Sequence, residues 1–216
     1  MAAVKTRTIR NTYERAARKE GFRLIAGADE AGRGALFGPV FAAAVILSED
    51  APVRGVRDSK QLAPQRREEL ALRIRERAVA WAVAVSEAGE IDRINILQAS
   101  RLAMRRAIEQ LRPGPDFLLI DAVEVDLPLP QRGIIHGDAL CPTIAAASIL
   151  AKVDRDACMR HWDAVYPQYG LARHKGYPTA EHLDALMRHG PTPQHRMSYQ
   201  PVRQLPLFST AGDACH

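Results

Sequence analysis

Three short apolar segments of this 216-residue chain run into acids: Arg23 to Asp29, continuing into Glu30, then Phe117 to Asp121, and Gly133 to Asp138. In open α/β sheets, ligands gather at strand ends. Carboxylates drawn together there repel one another unless a counter-charge is present. Oxygen donors of this kind suit Mg²⁺ or Mn²⁺, which keep several waters and take phosphate oxygens as further ligands. Two such ions about 4 Å apart clamp the attacking water and the leaving oxygen of an in-line phosphodiester cleavage. Taken singly, an acid at a strand end is more often a turn or helix-cap residue, so only the joint placement carries weight. One geometric condition is attached. Neighbours on a strand face opposite ways, so Asp29 and Glu30 converge only if the strand ends or kinks there. Gly32-Arg33-Gly34 offers such a kink.

The elements that must position these acids alternate in type. Arg23 to Asp29 and Pro39 to Leu47 read as strands joined by the Gly-rich text Glu30 to Gly34. Pro64 opens a helix to about Val79, with Leu70, Ile74 and Ala78 at i, i+4 and i+8. Trp81 to Val85 is a third strand, and Ile91 to Leu111 a long helix with Met104, Ile108 and Leu111 on one stripe. Phe117 to Asp121 and Gly133 to Asp138 complete the strands. A helix follows from Thr143 to about Val165, and its run Ala145-Ala146-Ala147-Ser148 would let it pack tightly on a sheet. A last helix spans Thr179 to His189, capped by Thr179 and stopped by Gly190 and Pro191. The expected architecture is α/β, a sheet covered by helices. Residues 1–22 read as an arm, 23–203 as one domain and 204–216 as a tail.

Composition narrows the function classes. A 47% hydrophobic content supports a packed core. Thirty Lys and Arg against 25 Asp and Glu leave a formal charge of +5, which suits a polyanionic partner and equally an ordinary basic protein. Cys141, Cys158 and Cys215 are odd in number and widely spaced, forming neither a disulfide framework nor a zinc pattern. The N-terminus lacks the apolar stretch of a signal peptide, and no apolar run approaches the roughly 20 residues needed to cross a bilayer. A cytoplasmic monomer with no membrane contact is expected.

The longer motifs are familiar. GADEAGRG (Gly27 to Gly34) is followed by GPV (Gly38 to Val40), DSK (Asp58 to Lys60), LID (Leu119 to Asp121) and GD (Gly137, Asp138). Then come AAASILAKVDRD (Ala145 to Asp156), PQYG (Pro167 to Gly170), HKGYPT (His174 to Thr179), and His189 to Thr192 with His195-Arg196. From about Leu24 to Val202 the chain resembles bacterial ribonuclease HII, the type 2 ribonuclease H. The resemblance implies an RNase H-like fold, a central mixed sheet flanked by helices, with a C-terminal helical part. It implies a two-metal endonuclease, using Mg²⁺ or Mn²⁺, that cuts the RNA strand of RNA–DNA hybrids. It also implies nicking 5′ of ribonucleotides embedded in duplex DNA, leaving 3′-hydroxyl and 5′-phosphate ends, in ribonucleotide excision repair and primer processing.

By position, Asp29, Glu30, Asp121 and Asp138 match the family's metal-binding acids. Gly32, Arg33 and Gly34 match the loop whose backbone senses the ribose 2′-hydroxyl. Tyr177 matches the tyrosine that stacks on the deoxyribose at the RNA–DNA junction. Without the family, the loop reads as a tight turn and Tyr177 as packing beside Pro178. Lys60 matches a residue able to reach phosphate, or is a solvated lysine. Arg155 and Asp156 read as a structural pair on their helix, and His136, His174 and His195 as hydrogen-bonded structural residues. Three positions depart from the commonest text: Ala122 for Gly, His136 for Lys and Ala35 for Pro. Gln204-Leu205-Pro206-Leu207-Phe208 looks like a ligand of the replication sliding clamp, with Leu207 and Phe208 as anchors and Gln204 as a polar latch. The competing readings are a non-catalytic hybrid-binding protein and a junction nuclease of the same fold. The first would predict loss of Asp29 or Asp121, and the second leaves Gly32–Gly34 and Tyr177 unexplained.

Overall fold

The computed structural model describes residues 11–56 and 62–204. Its centre is a five-stranded mixed sheet in the order β3-β2-β1-β4-β5. The strands are β1 (Ile25–Ala31), β2 (Val40–Leu47), β3 (Ala78–Ser86), β4 (Phe117–Asp121) and β5 (Gln131–Ile134). β1 pairs antiparallel with β2, and β2 antiparallel with β3. β1 pairs parallel with β4, and β4 parallel with β5. Strands buried on both faces need apolar residues at successive positions, which is what VFAAAVIL in β2 and FLLI in β4 supply.

The helices are α1 (Thr12–Lys19), α2 (Pro64–Arg77), α3 (Ala88–Glu109), α4 (Gly137–Leu140), α5 (Pro142–Val165), α6 (Leu171–His174), α7 (Ala180–His189) and α8 (Gln200–Arg203). On one face of the sheet, Ala99, Ala103, Met104 and Ala107 of α3 pack on Ala26, Ala28, Ala42, Ala44, Leu118 and Ile120. On the other face, the small residues Ala146 and Ala147 bring α5 onto Ala43 and Val45, with Leu70 and Ile74 of α2 alongside. A separate cluster of Phe37, Met159, Tyr169, Leu171 and Leu186 forms the centre of the C-terminal helical part. Among the described residues no helix is long and apolar enough to cross a membrane.

The expected strand and helix types are all present, with two differences of substance. The text Gly133 to Asp138 is not one strand. β5 ends at Ile134, His136 turns left-handed at φ 57°, and Asp138 lies in the first turn of the one-turn helix α4. The helix expected from Ile91 begins at Ala88 and is interrupted at Asn95, whose backbone (φ 66°, ψ 164°) is not helical. The Asn95 carboxamide then accepts from the amides of Leu97 and Gln98 and restarts the helix.

Residues 12–19 do structural work that their polar text conceals. Glu14 is buried, and one of its oxygens accepts from the Thr143 amide, the Thr143 hydroxyl and the Cys141 thiol, each at 3.1 Å. α5 has no side-chain cap of its own, so Glu14 satisfies a free amide at its N-terminus from another helix and complements its dipole. Replacing Glu14 by Ala should therefore lower stability by about 1–2 kcal/mol, as loss of an N-cap does. A thermal melt should read this as a drop of roughly 2–8 °C, and an unchanged Tm would show that α5 needs no such cap.

Candidate active site

Asp29 and Asp121 stand one residue beyond Ala28 and Ile120, the last paired positions of the parallel strands β1 and β4. Side chains at equivalent positions of neighbouring parallel strands face the same way, so the sheet alone sets these two acids side by side. Asp29 is only 5% exposed. Burial first, and then the negative charges of Glu30 and Asp121, hold its pKa well above the usual carboxylate value. The Ser148 hydroxyl of α5 and the Glu30 amide, at 2.7 Å, hydrogen-bond to it and offset part of that rise.

Glu30 reaches the same place differently. β1 stays paired with β2 through Glu30 and Ala31, so the strand does not kink at Glu30 itself. The chain turns only at Gly32, at φ 98°. From its alternate position the Glu30 carboxylate accepts from Arg33 at 3.2 Å. Burial raises its pKa, the Arg33 guanidinium opposes the rise, and Asp121 adds to it. Its second oxygen is buried without a hydrogen-bond partner. Asp138 is 5% exposed and is tied to the group through its neighbour, since the Gly137 amide donates to Asp121 at 2.7 Å. Among the described residues, no three His, Cys, Asp or Glu side chains stand close enough to hold one ion by themselves.

Beside the acids lies the Gly32–Gly34 loop, pinned from behind. The Arg33 carbonyl accepts from Arg196 at 2.8 Å and from the Tyr199 hydroxyl at 2.5 Å. Arg196 is wholly buried and also donates to the Gly38 carbonyl at 3.0 Å. The next stretch of chain is tied to the segment carrying Tyr177, as the Leu36 amide donates to the Gly176 carbonyl at 2.8 Å. The Tyr177 ring in turn faces the loop, within 3.8 Å of a Cβ built on Gly34.

Arg155 and Asp156 do not pair with each other as expected. Asp156 accepts from Lys152 at 2.8 Å and lies 3.7 Å from Arg67, while Arg155 lies under Tyr177 with its guanidinium 5.2 Å from the ring centre. The contributions of Ser148, Arg196 and Tyr199 were not legible as site features. The only signal was that Ser148 and Arg196 fall inside the long motifs. Lys60 lies outside the described residues, as do Leu207 and Phe208, while Gln204 follows α8.

The Tyr177 backbone is held by a chain of neutral histidines. His182 Nδ1 donates to the Tyr177 carbonyl at 3.0 Å, which leaves its Nε2 to accept from His195 Nε2–H at 3.2 Å. His195 Nδ1 then accepts from the Thr192 amide at 2.9 Å. Burial pushes His182 down to about 4 and His195 to about 3. His174, stacked on His182 at 4.5 Å, adds to the first of these effects. A histidine whose folded pKa is depressed stabilises above its unfolded value, near 6.5, and loses that contribution as pH falls toward the folded value. Stability should thus drop between about pH 6.5 and 4. The drop should be shallower in His195→Gln, which titrates no proton. Thermal melts across that range decide it, and equal slopes in both proteins would overturn the neutral chain.

Comparison with known proteins gives these features a context. A sequence model described as Ribonuclease HII matches residues 26–202. Ribonuclease HII of Solibacter usitatus (strain Ellin6076) is 61% identical over 214 residues, covering 94% of this chain and 94% of that protein. Ribonuclease HII of Geobacillus kaustophilus (strain HTA426) is 53% identical, covering 89% and 74%. Among solved structures, ribonuclease H2 from Pyrococcus horikoshii OT3 superposes with a TM-score of 0.71 at 26% identity, covering 85% of this chain and 97% of that one. RNase HII of Archaeoglobus fulgidus, solved as a complex with PCNA, gives 0.70 at 27% identity, covering 85% and 98%. Bst-RNase HIII, solved with Mn²⁺, gives 0.68 at 20% identity and shares the fold. The mixed sheet flanked by helices is thus the RNase H-like fold.

Proposed function

Because the chain belongs to the ribonuclease HII family, and so is a ribonuclease H acting on RNA–DNA duplexes, we propose that it nicks 5′ of ribonucleotides by two-metal hydrolysis. The products are a 3′-hydroxyl and a 5′-phosphate, and the role is ribonucleotide removal and RNA primer processing. The observation that supports this reading is the buried group of carboxylates at the strand ends, whose burial and mutual repulsion favour a divalent countercharge. Glu30 and Asp121 raise the cost of ionising Asp29, Asp121 raises that of Glu30, and a buried Glu30 oxygen lacks a hydrogen-bond partner.

Such a site fits divalent cations. Mg²⁺ is usually held by one or two carboxylates, with waters and substrate phosphates completing its shell, so no closed protein cage is required. Mg²⁺ or Mn²⁺ ions held by Asp29, Glu30, Asp121 and Asp138 supply countercharge and Lewis acidity at the scissile phosphate. The chain's own groups do the rest. Ser148 and the Gly137 amide fix the Asp29 and Asp121 carboxylates through hydrogen bonds, which limits reorganisation during the reaction. Gly32, Arg33 and Gly34 offer backbone to the ribose edge, where a glycine allows close approach. Tyr177 offers a flat ring to the sugar of the following nucleotide, and Lys60 a charge for a phosphate.

Asp29→Asn and Asp121→Asn should each abolish metal-dependent cleavage of duplex DNA carrying one ribonucleotide. Asp29→Asn also removes a buried like charge, so in EDTA it should melt above the wild-type protein while losing any stabilisation by added Mn²⁺. Full activity in either variant, or a lower Tm for Asp29→Asn in EDTA, would refute the site.

The tail extends the proposal to the sliding clamp. By residue type, Gln204, Leu207 and Phe208 match one polar latch and two apolar anchors, the pattern of a peptide that docks on a hydrophobic groove. A solved relative in complex with PCNA is consistent with such a partner. Purified bacterial clamp should retain the intact chain and release one carrying Leu207→Ala and Phe208→Ala. Equal recovery of both removes the tail from the reading.

A further inference from the structure

We propose that Arg155 is a positioning residue for ribonucleotide recognition, a strut that sets the spacing between the Gly32–Gly34 loop and the Tyr177 ring. The inference rests on the reading of those two elements given above. Arg155 is wholly buried in α5, so it cannot itself contact a substrate. Instead it touches both halves of the recognition surface. A Cβ built on Gly32 would fall 2.0 Å from Arg155 Nε and 2.6 Å from Cδ, so the guanidinium stem fills the space a side chain would need. Its Nη2 donates to the Lys175 carbonyl at 2.9 Å and to the Phe37 carbonyl at 3.5 Å. Its guanidinium carbon lies 5.2 Å from the Tyr177 ring centre. Its hydrogen bonds go to carbonyls, and the Asp156 carboxylate acts on it only through space, an unusual environment for a buried cation. No shorter or rounder cation replaces it, because only a planar guanidinium can lie against Gly32, stack beneath a ring and donate sideways to two carbonyls at once.

The consequence is mechanical. Gly32 and Tyr177 lie 145 residues apart in the chain, yet a shift of one is passed to the other through a single rigid plane. Misplacement of binding groups by about 1 Å can cost on the order of 100-fold in rate. Arg155→Lys keeps the charge and loses the plane, and Arg155→Met keeps the stem alone. Both are compared with Tyr177→Ala and with the Arg155→Lys/Tyr177→Ala double variant, on duplex DNA containing one ribonucleotide. Arg155→Lys should lower kcat/KM between about 10- and 100-fold, and the double variant should be no worse than Tyr177→Ala alone. Multiplying losses would show that Arg155 does not act through Tyr177.

Amide hydrogen exchange supplies a readout apart from activity. In Arg155→Lys and Arg155→Met, residues 32–35 and 175–177 should exchange faster together, with β1 and β4 unchanged. In the wild-type protein under mild denaturant, the same two segments should open as one unit. Independent opening overturns the strut whether or not the variants fold. Joint opening, with Tyr177→Ala leaving cleavage unchanged, would keep the strut and remove the stacking role of Tyr177.

Discussion

Asp29 and Asp121 follow the last paired residues of neighbouring parallel strands, and much of the structure answers the repulsion this creates. Two like charges at the same level of adjacent strands, one of them almost wholly buried, oppose folding. At an effective dielectric near 20, unit charges about 4 Å apart repel by roughly 4 kcal/mol. Oriented donors meet part of that cost. Ser148 and the Glu30 amide serve Asp29, and the Gly137 amide serves Asp121. These donors moderate the charge without neutralising it.

The strand ends carrying these acids were readable in the sequence because a buried strand announces itself by continuous apolar text. Phe117 to Asp121 is a strand over those same residues, and Thr179 caps α7 by accepting from the His182 amide. Asp138 was misplaced for a physical reason. GIIHGD has the composition of a strand, but its last residues are set by tertiary contacts. Gly137 packs where a Cβ would fall 2.5 Å from Ile144, and its amide is claimed by Asp121. Neither contact leaves a local signature. The break at Asn95 was hidden likewise, since the apolar stripe continues past it.

The C-terminal part was the least legible. Its helices α6 and α8 have four residues each, too few for a period to show, and they are held by bonds across long sequence separations. Arg196 reaches Arg33, and Asp92 accepts from the Met197 and Ser198 amides at 2.9 Å. Of the histidines read singly as structural, His195 joins His182, which the sequence did not single out, in one chain of donors and acceptors ending on the Tyr177 carbonyl. A motif can mark such residues, but only their mutual geometry states what each does.

One stripe of α5 explains why the acids and the Gly32–Gly34 loop keep a fixed relation. Ile144, Ser148, Arg155 and Met159 are spaced by four, seven and four residues, which places them on one helical face. Read along the helix, they meet β1 and its loop in chain order. A Cβ on Gly27 would strike the backbone of Thr143 and Ile144, Ser148 bonds Asp29, Arg155 fills the space at Gly32, and Met159 that at Gly38. Helix and strand are therefore matched position by position, with glycines where the helix comes closest. Because the N-terminus of this helix is satisfied by Glu14, the same rigid element runs from the first helix of the fold to the ring of Tyr177. Rigid elements hold functional groups more accurately than loops do. A loop rich in glycine is thereby held in place, its flexibility removed by the side chains of the helix behind it.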